Sequence, residues 1–125
     1  DYLYWLHFAN GTLQPVVMQV RSLERVDPSD SNAPLQMAKA RFQLIFSTLD
    51  TRLGQVPYLA GDALTAADIM TVFTLTTMRL FKPYDLSPWP NILAYLQRIG
   101  ARPAYRRAMR KGDPDLTPVL GALPE

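Results

Sequence analysis

Apolar residues recur at steps of three and four along most of this chain, the period of helices that bury one face. Leu3, Leu6, Leu13, Val16, Val17, Val20 and Leu23 form such a stripe and predict a first helix over residues 2–25. Gly11 and Pro15 interrupt it. A proline there removes one backbone hydrogen bond and crowds the carbonyl four residues back, so a bend is expected between them. The turn-forming cluster at 27–34 ends this helix in a loop that reads as flexible. A second helix is expected over 35–53, with Leu35, Ala38, Phe42, Ile45, Phe46, Leu49 and Leu53 on its buried stripe and Gly54 as its C-cap.

The third helix, over 66–81, differs in kind. Ile69, Met70, Val72, Phe73, Leu75, Met78, Leu80 and Phe81 cover nearly its whole circumference, which predicts a helix at the centre of the domain. Its threonines are expected to bond to their own backbone carbonyls, and its methionines to fill the core. Just before it, Thr65 and Asp68 have the spacing of a capping box, in which each side chain satisfies the other's backbone N–H. Leu64 and Ile69 flank the box as a hydrophobic staple. A fourth helix over 89–99 follows Ser87-Pro88 and stops at Gly100, and a fifth over 103–111 stops at Gly112. Residues 113–125 hold three prolines and are expected to be extended and only partly ordered. No segment alternates as a strand does, so the expectation is all-α: a bundle of about five helices over residues 1–112 with an extended tail.

Composition narrows the chemistry. A chain of 125 residues with 48% hydrophobic content makes one domain with a real core. It has no cysteine, hence no disulfide, thiolate metal site or cysteine nucleophile of its own. No apolar run approaches the roughly 18 residues of a membrane span, and a soluble, cytoplasmic protein is expected. Net charge is +2, with Arg98, Arg102, Arg106, Arg107, Arg110 and Lys111 clustered late in the chain. Without aromatic platforms or a groove-reading motif, that cluster reads as solvated helix surface and ranks a nucleic-acid partner last. His7 is the only histidine, so neither a multi-histidine metal site nor a Ser-His-Asp arrangement is indicated. Catalytic residues and metal ligands are therefore expected to be none.

One polar stripe crosses the first helix: Tyr4, His7, Gly11 and Gln14 recur at steps of three and four, with Asn10 beside them. A partner surface and a ligand cleft both account for it. The dense aromatic opening from Tyr2 to Phe8 is unusual for a free terminus, which suggests a polypeptide that extends N-terminally.

Tyr58-Leu59-Ala60-Gly61, then Thr65-x-x-Asp68, then Trp89-Pro90-x-Ile92, then Arg102-Pro103-Ala104 occur in an order and spacing that resembles the C-terminal helical domain of cytosolic glutathione transferases. The likeness runs from about Tyr2 to about Lys111. It implies a parent enzyme that joins glutathione, as co-substrate, to small apolar electrophiles, in the cytoplasm, as a homodimer active in detoxification. In that family the first helix of this domain lines the cleft facing an N-terminal thioredoxin-like domain. By resemblance Tyr4, Phe8, Asn10, Gly11 and Gln14 are the substrate-binding candidates, while other faces of this helix and the next build the dimer interface. The glutathione-binding elements and the thiol-activating residue belong to the N-terminal domain, which is absent from this chain. The resemblance thus leaves this stretch without cofactor or catalytic residue. The alternative is a non-catalytic protein-docking scaffold, because the same helical domain also occurs in translation factors and multi-synthetase assemblies.

Overall fold

The computed structural model describes residues 1–124. Helices α1 (Tyr2–Phe8), α2 (Gln14–Val26), α3 (Ala33–Leu53), α4 (Ala66–Leu75), α5 (Pro90–Gly100) and α6 (Pro103–Gly112) make an all-α bundle, with a π-turn at Ala9–Leu13 and a 3-10 turn at Thr77–Leu80. The expected first helix is α1, the π-turn and α2 in one run. Pro15 has no N–H for the Gly11 carbonyl, and the chain widens ahead of it, so that the Gln14 N–H reaches back five residues to the Ala9 carbonyl. Its buried side is Trp5, Phe8, Ala9, Leu13, Val16, Val17 and Val20; Leu3, expected inside, is exposed.

Helix α3 starts ahead of Leu35, because Asn32 Oδ1 accepts from the Leu35 N–H at 3.2 Å and Pro34 occupies the first turn. Gly54 ends it with right-handed φ −75°. Glycine is suited there by close approach, since a Cβ would lie 3.0 Å from the Asn91 Nδ2 atom. A tight turn follows in which Tyr58 and Gly61 exchange backbone hydrogen bonds of 3.0 and 2.9 Å, and Gly61 takes φ +133°, a conformation that L side chains rarely adopt.

Two expectations for the third helix are corrected. It stops at Leu75, six residues short of Phe81, and the chain turns through Thr76 at φ −124° and ψ −93°. It is also buried on one face only. Ala67, Asp68, Thr71, Val72, Thr74 and Leu75 point inward, whereas Ile69 is 62% and Phe73 48% exposed, with Met70, Leu80 and Phe81 also open to solvent. Of the threonines, Thr76 donates to the Val72 carbonyl at 2.6 Å. Thr71 and Thr74 hydroxyls are buried and find no partner among the described residues.

Helix α5 carries Pro90, not Pro88, in its first turn, and Ser87 turns back to Asp85. Its N-terminus is capped from α3: Asp50 accepts from the N–H groups of Asn91 and Ile92 at 2.8 and 2.9 Å and from Asn91 Nδ2 at 2.9 Å. Phe42, Phe46, Tyr84 and Trp89 interlock beside this junction, with ring centroids 4.1 to 6.0 Å apart. The tail after α6 has no helix but is tied down: Val119 is buried, Leu120 packs on the core, and the Ala122 carbonyl accepts from the Leu86 N–H at 2.9 Å. Glu125, the end of the expected tail, lies outside the described residues. No helix among the described residues is long and apolar enough to cross a membrane.

Candidate functional site

The α4 N-terminus is the most densely bonded polar centre of the fold. The capping box closes there, with the Thr65 N–H donating to Asp68 Oδ2 at 2.8 Å. Asp68 is fully buried, and it also accepts from the Thr65 hydroxyl (3.2 Å), the Leu59 N–H (2.9 Å) and the Tyr95 hydroxyl (3.0 Å). Burial, followed by the neighbouring Asp68 carboxylate, pushes the Tyr95 hydroxyl well above its ordinary range, so it acts as a fixed donor. All four of these bonds tie neighbouring segments of the chain to the start of α4. Leu64 is half-buried, Ile69 is exposed, and both border a cavity described below.

The predicted substrate residues divide. Tyr4, Phe8 and Gly11 come together with Leu3, His7 and Thr12 on one side of an open groove of about 590 Å³, and Leu44, Ile45 and Thr48 of α3 form the other. Asn10 and Gln14 are not among its lining residues. The π-turn alters the spacing that would have kept Gln14 in line, because a wider turn rotates the residues after it relative to those before, while Asn10 stands beside the stripe as its position in the sequence places it. Tyr4 is 61% exposed and stacks on Phe8 with ring centroids 6.2 Å apart, presenting an aromatic wall with a hydroxyl at its rim. A Cβ on Gly11 would meet nothing within 4 Å, so the glycine leaves the groove open there. Thr48 spends its hydroxyl proton on the Leu44 carbonyl at 2.9 Å. The remaining polar side chains, Tyr4, His7 and Thr12, can donate to a bound molecule. No carboxylate or thiol stands among its lining residues, and most of its walls are apolar.

A second concavity, of about 430 Å³, lies between α4 and α6, walled by Ile69, Val72 and Phe73 on one side and by Tyr105, Ala108 and Met109 on the other. The Tyr105 hydroxyl oxygen is buried and has no partner among the described residues. Sequence reasoning missed this site because an apolar run reads as core. The available signal was the spacing of Tyr105 and Met109, four apart on a helix otherwise dominated by arginine.

Much of the basic cluster is structural. Arg98 donates to the Pro57 carbonyl at 2.8 Å, Arg102 to the Tyr58 hydroxyl at 2.8 Å and Arg106 to the Gly100 carbonyl at 2.8 Å; Arg107, Arg110 and Lys111 are exposed. Among the described residues no group of three or more His, Asp or Glu side chains could hold a metal ion.

The family described as glutathione S-transferase, C-terminal domain, matches residues 13–103. The chain is 28% identical over 112 residues to the disulfide-bond oxidoreductase YfcG of Escherichia coli (strain K12), covering 87% of this chain and 50% of that protein. Among solved structures, a glutathione S-transferase from Actinobacillus pleuropneumoniae superposes with a TM-score of 0.72 at 28% identity, over 90% of this chain and 49% of that one. A glutathione transferase from Burkholderia graminis, crystallised with two glutathione molecules per subunit, gives a TM-score of 0.68 at 21% identity, over 88% of this chain and 48% of that one. The chain thus spans about half the length of the relatives it matches. With the family match covering most of its helices and the same helical fold recurring in solved transferases, the chain belongs to the glutathione S-transferase C-terminal domain family.

Proposed function

We propose that this chain is the electrophile-binding half of a cytoplasmic glutathione transferase that conjugates glutathione to small apolar compounds. The convergence of Tyr4, Phe8 and Gly11 on one open groove carries the reading. The groove supplies an aromatic wall and rim donors for the second substrate, while glutathione and the group that activates its thiol belong to a thioredoxin-like N-terminal half of the same polypeptide. That half covers the exposed apolar face of α4, where Ile69, Met70 and Phe73 otherwise meet water. Two subunits pair through the outer faces of the long helices, where Met37 is 74% exposed.

Steady-state kinetics of the full-length protein test the assignment. Tyr4→Ala is expected to raise KM for an aromatic electrophile about five- to tenfold, with KM for glutathione changed less than about twofold, because only the second substrate touches that ring. Equal changes for both substrates would remove the groove from the electrophile site.

The similarity to YfcG favours a second reading, in which the parent exchanges glutathione with a disulfide. It is distinguished by supplying the full-length protein with a small disulfide and with an aromatic electrophile in parallel: turnover of the disulfide alone would select it.

A further inference from the structure

Helix α6 is placed by its ends. It is ten residues long and contains no fully buried residue, and Tyr105 alone packs from it against the core, so neither intrinsic helix stability nor a broad core face holds it to the bundle. Its N-terminal end is fixed where Arg102 and Arg106 bond to Tyr58 and Gly100. Its C-terminal end continues into the tail, and the tail is gripped from an unexpected quarter. Arg79, in the 3-10 turn after α4, is completely buried. Every hydrogen bond that its guanidinium makes among the described residues ends on a carbonyl oxygen: Tyr84 at 3.3 Å and Leu75 at 3.4 Å within its own region, then Gly121 at 2.9 Å and Ala122 across the fold. Leu120 seats beside this clasp against Gly100, so closely that a Cβ on the glycine would lie 2.4 Å from Leu120 Cδ1. Gln97 adds a bond of 3.2 Å to the Leu120 carbonyl.

We infer that α6 and residues 113–124 form one strap, latched by Arg79, whose release opens the cavity between α4 and α6. The two tail carbonyls share with those of Leu75 and Tyr84 the burial of the Arg79 charge, and the fork of donors that reaches them adds to the Leu86 and Gln97 bonds the one grip on the tail that comes from the turn after α4. Loss of the latch therefore frees the tail as a unit. Since α6 then keeps only its N-terminal tethers and the single core contact of Tyr105, the wall carrying Met109 swings with it. Helices α3 and α5, packed through the aromatic cluster and the Asp50 cap, stay in place. This inference concerns the chain itself and stands whether or not the groove between α1 and α3 binds an electrophile.

Hydrogen exchange followed by mass spectrometry on this chain tests it. In the wild type, α6 and the tail exchange together and faster than α3 and α5. Arg79→Lys, which keeps the charge but loses the fork of donors, is expected to raise exchange in α6 and the tail about tenfold while α3 and α5 change less than about twofold. Arg79→Gln, which keeps an amide donor but no fork and buries no charge, is expected to give the same pattern, and it decides the matter alone if Arg79→Lys does not fold. Unchanged protection of α6 in the folded variants, or a rise shared equally by α3 and α5, would overturn the latch.

Discussion

Replacing Asp68 with alanine is expected to lower the free energy of unfolding by roughly 3–5 kcal/mol, a larger loss than any other single side chain at the α4 terminus would give. The carboxylate is fully buried and accepts from the Leu59 N–H, the Thr65 N–H and hydroxyl, and the Tyr95 hydroxyl. Its removal breaks these bonds and strands the Leu59 N–H and the Tyr95 hydroxyl, both buried, without acceptors. Thr65→Ala removes one hydroxyl and should cost only about 0.5–2 kcal/mol. Urea denaturation of both variants checks the order. A Thr65 variant as damaged as the Asp68 variant would show that the cap, and not the buried carboxylate, holds this region.

The second large effect is expected at Asp50. Its carboxylate crosses from α3 to the first turn of α5, where three donors from Asn91 and Ile92 converge on it. Asp50→Ala leaves that helix end uncapped and removes a negative charge from the positive pole of α5, with an expected loss of roughly 2–3 kcal/mol. Asp50→Asn retains an acceptor and should lose about half as much. Thermal unfolding of the pair is the check; equal losses would show that charge, and not acceptor geometry, dominates.

Local motifs carried most of the fold into the sequence. The Thr65–Asp68 spacing marks the start of α4, and the stripe of α3 reports its buried face; Asn32 and Pro34, read as loop, are in fact the cap and first turn of α3. What the sequence hid was the use of the same groups at long range. Asp68 looks like one arm of a local cap, yet it also reaches Leu59 and Tyr95; Asp50 looks like a solvent-facing residue of α3, yet it caps a helix 41 positions away. Gly11 and Pro15 announce a disturbance in the first helix without saying that it takes the form of a π-turn, and that turn takes Gln14 off the groove that Tyr4, Phe8 and Gly11 line. The apolar ring of α4 misled for another reason. Hydrophobicity reports that a face avoids water, but not whether this chain or another surface covers it, so Ile69 and Phe73 read as core. Arg79, set between Met78 and Leu80, was the one sequence sign of a buried charge in that region.

The most direct measurement is a residue-resolved NMR titration of this chain, first with glutathione and then with an unreactive aromatic analogue of an electrophile. If the groove between α1 and α3 is the second-substrate side of a transferase, the analogue shifts the amides of Tyr4, Phe8 and Gly11, and glutathione leaves them unmoved. Glutathione shifting those residues, or an analogue that leaves them untouched at saturating concentration, would contradict the account.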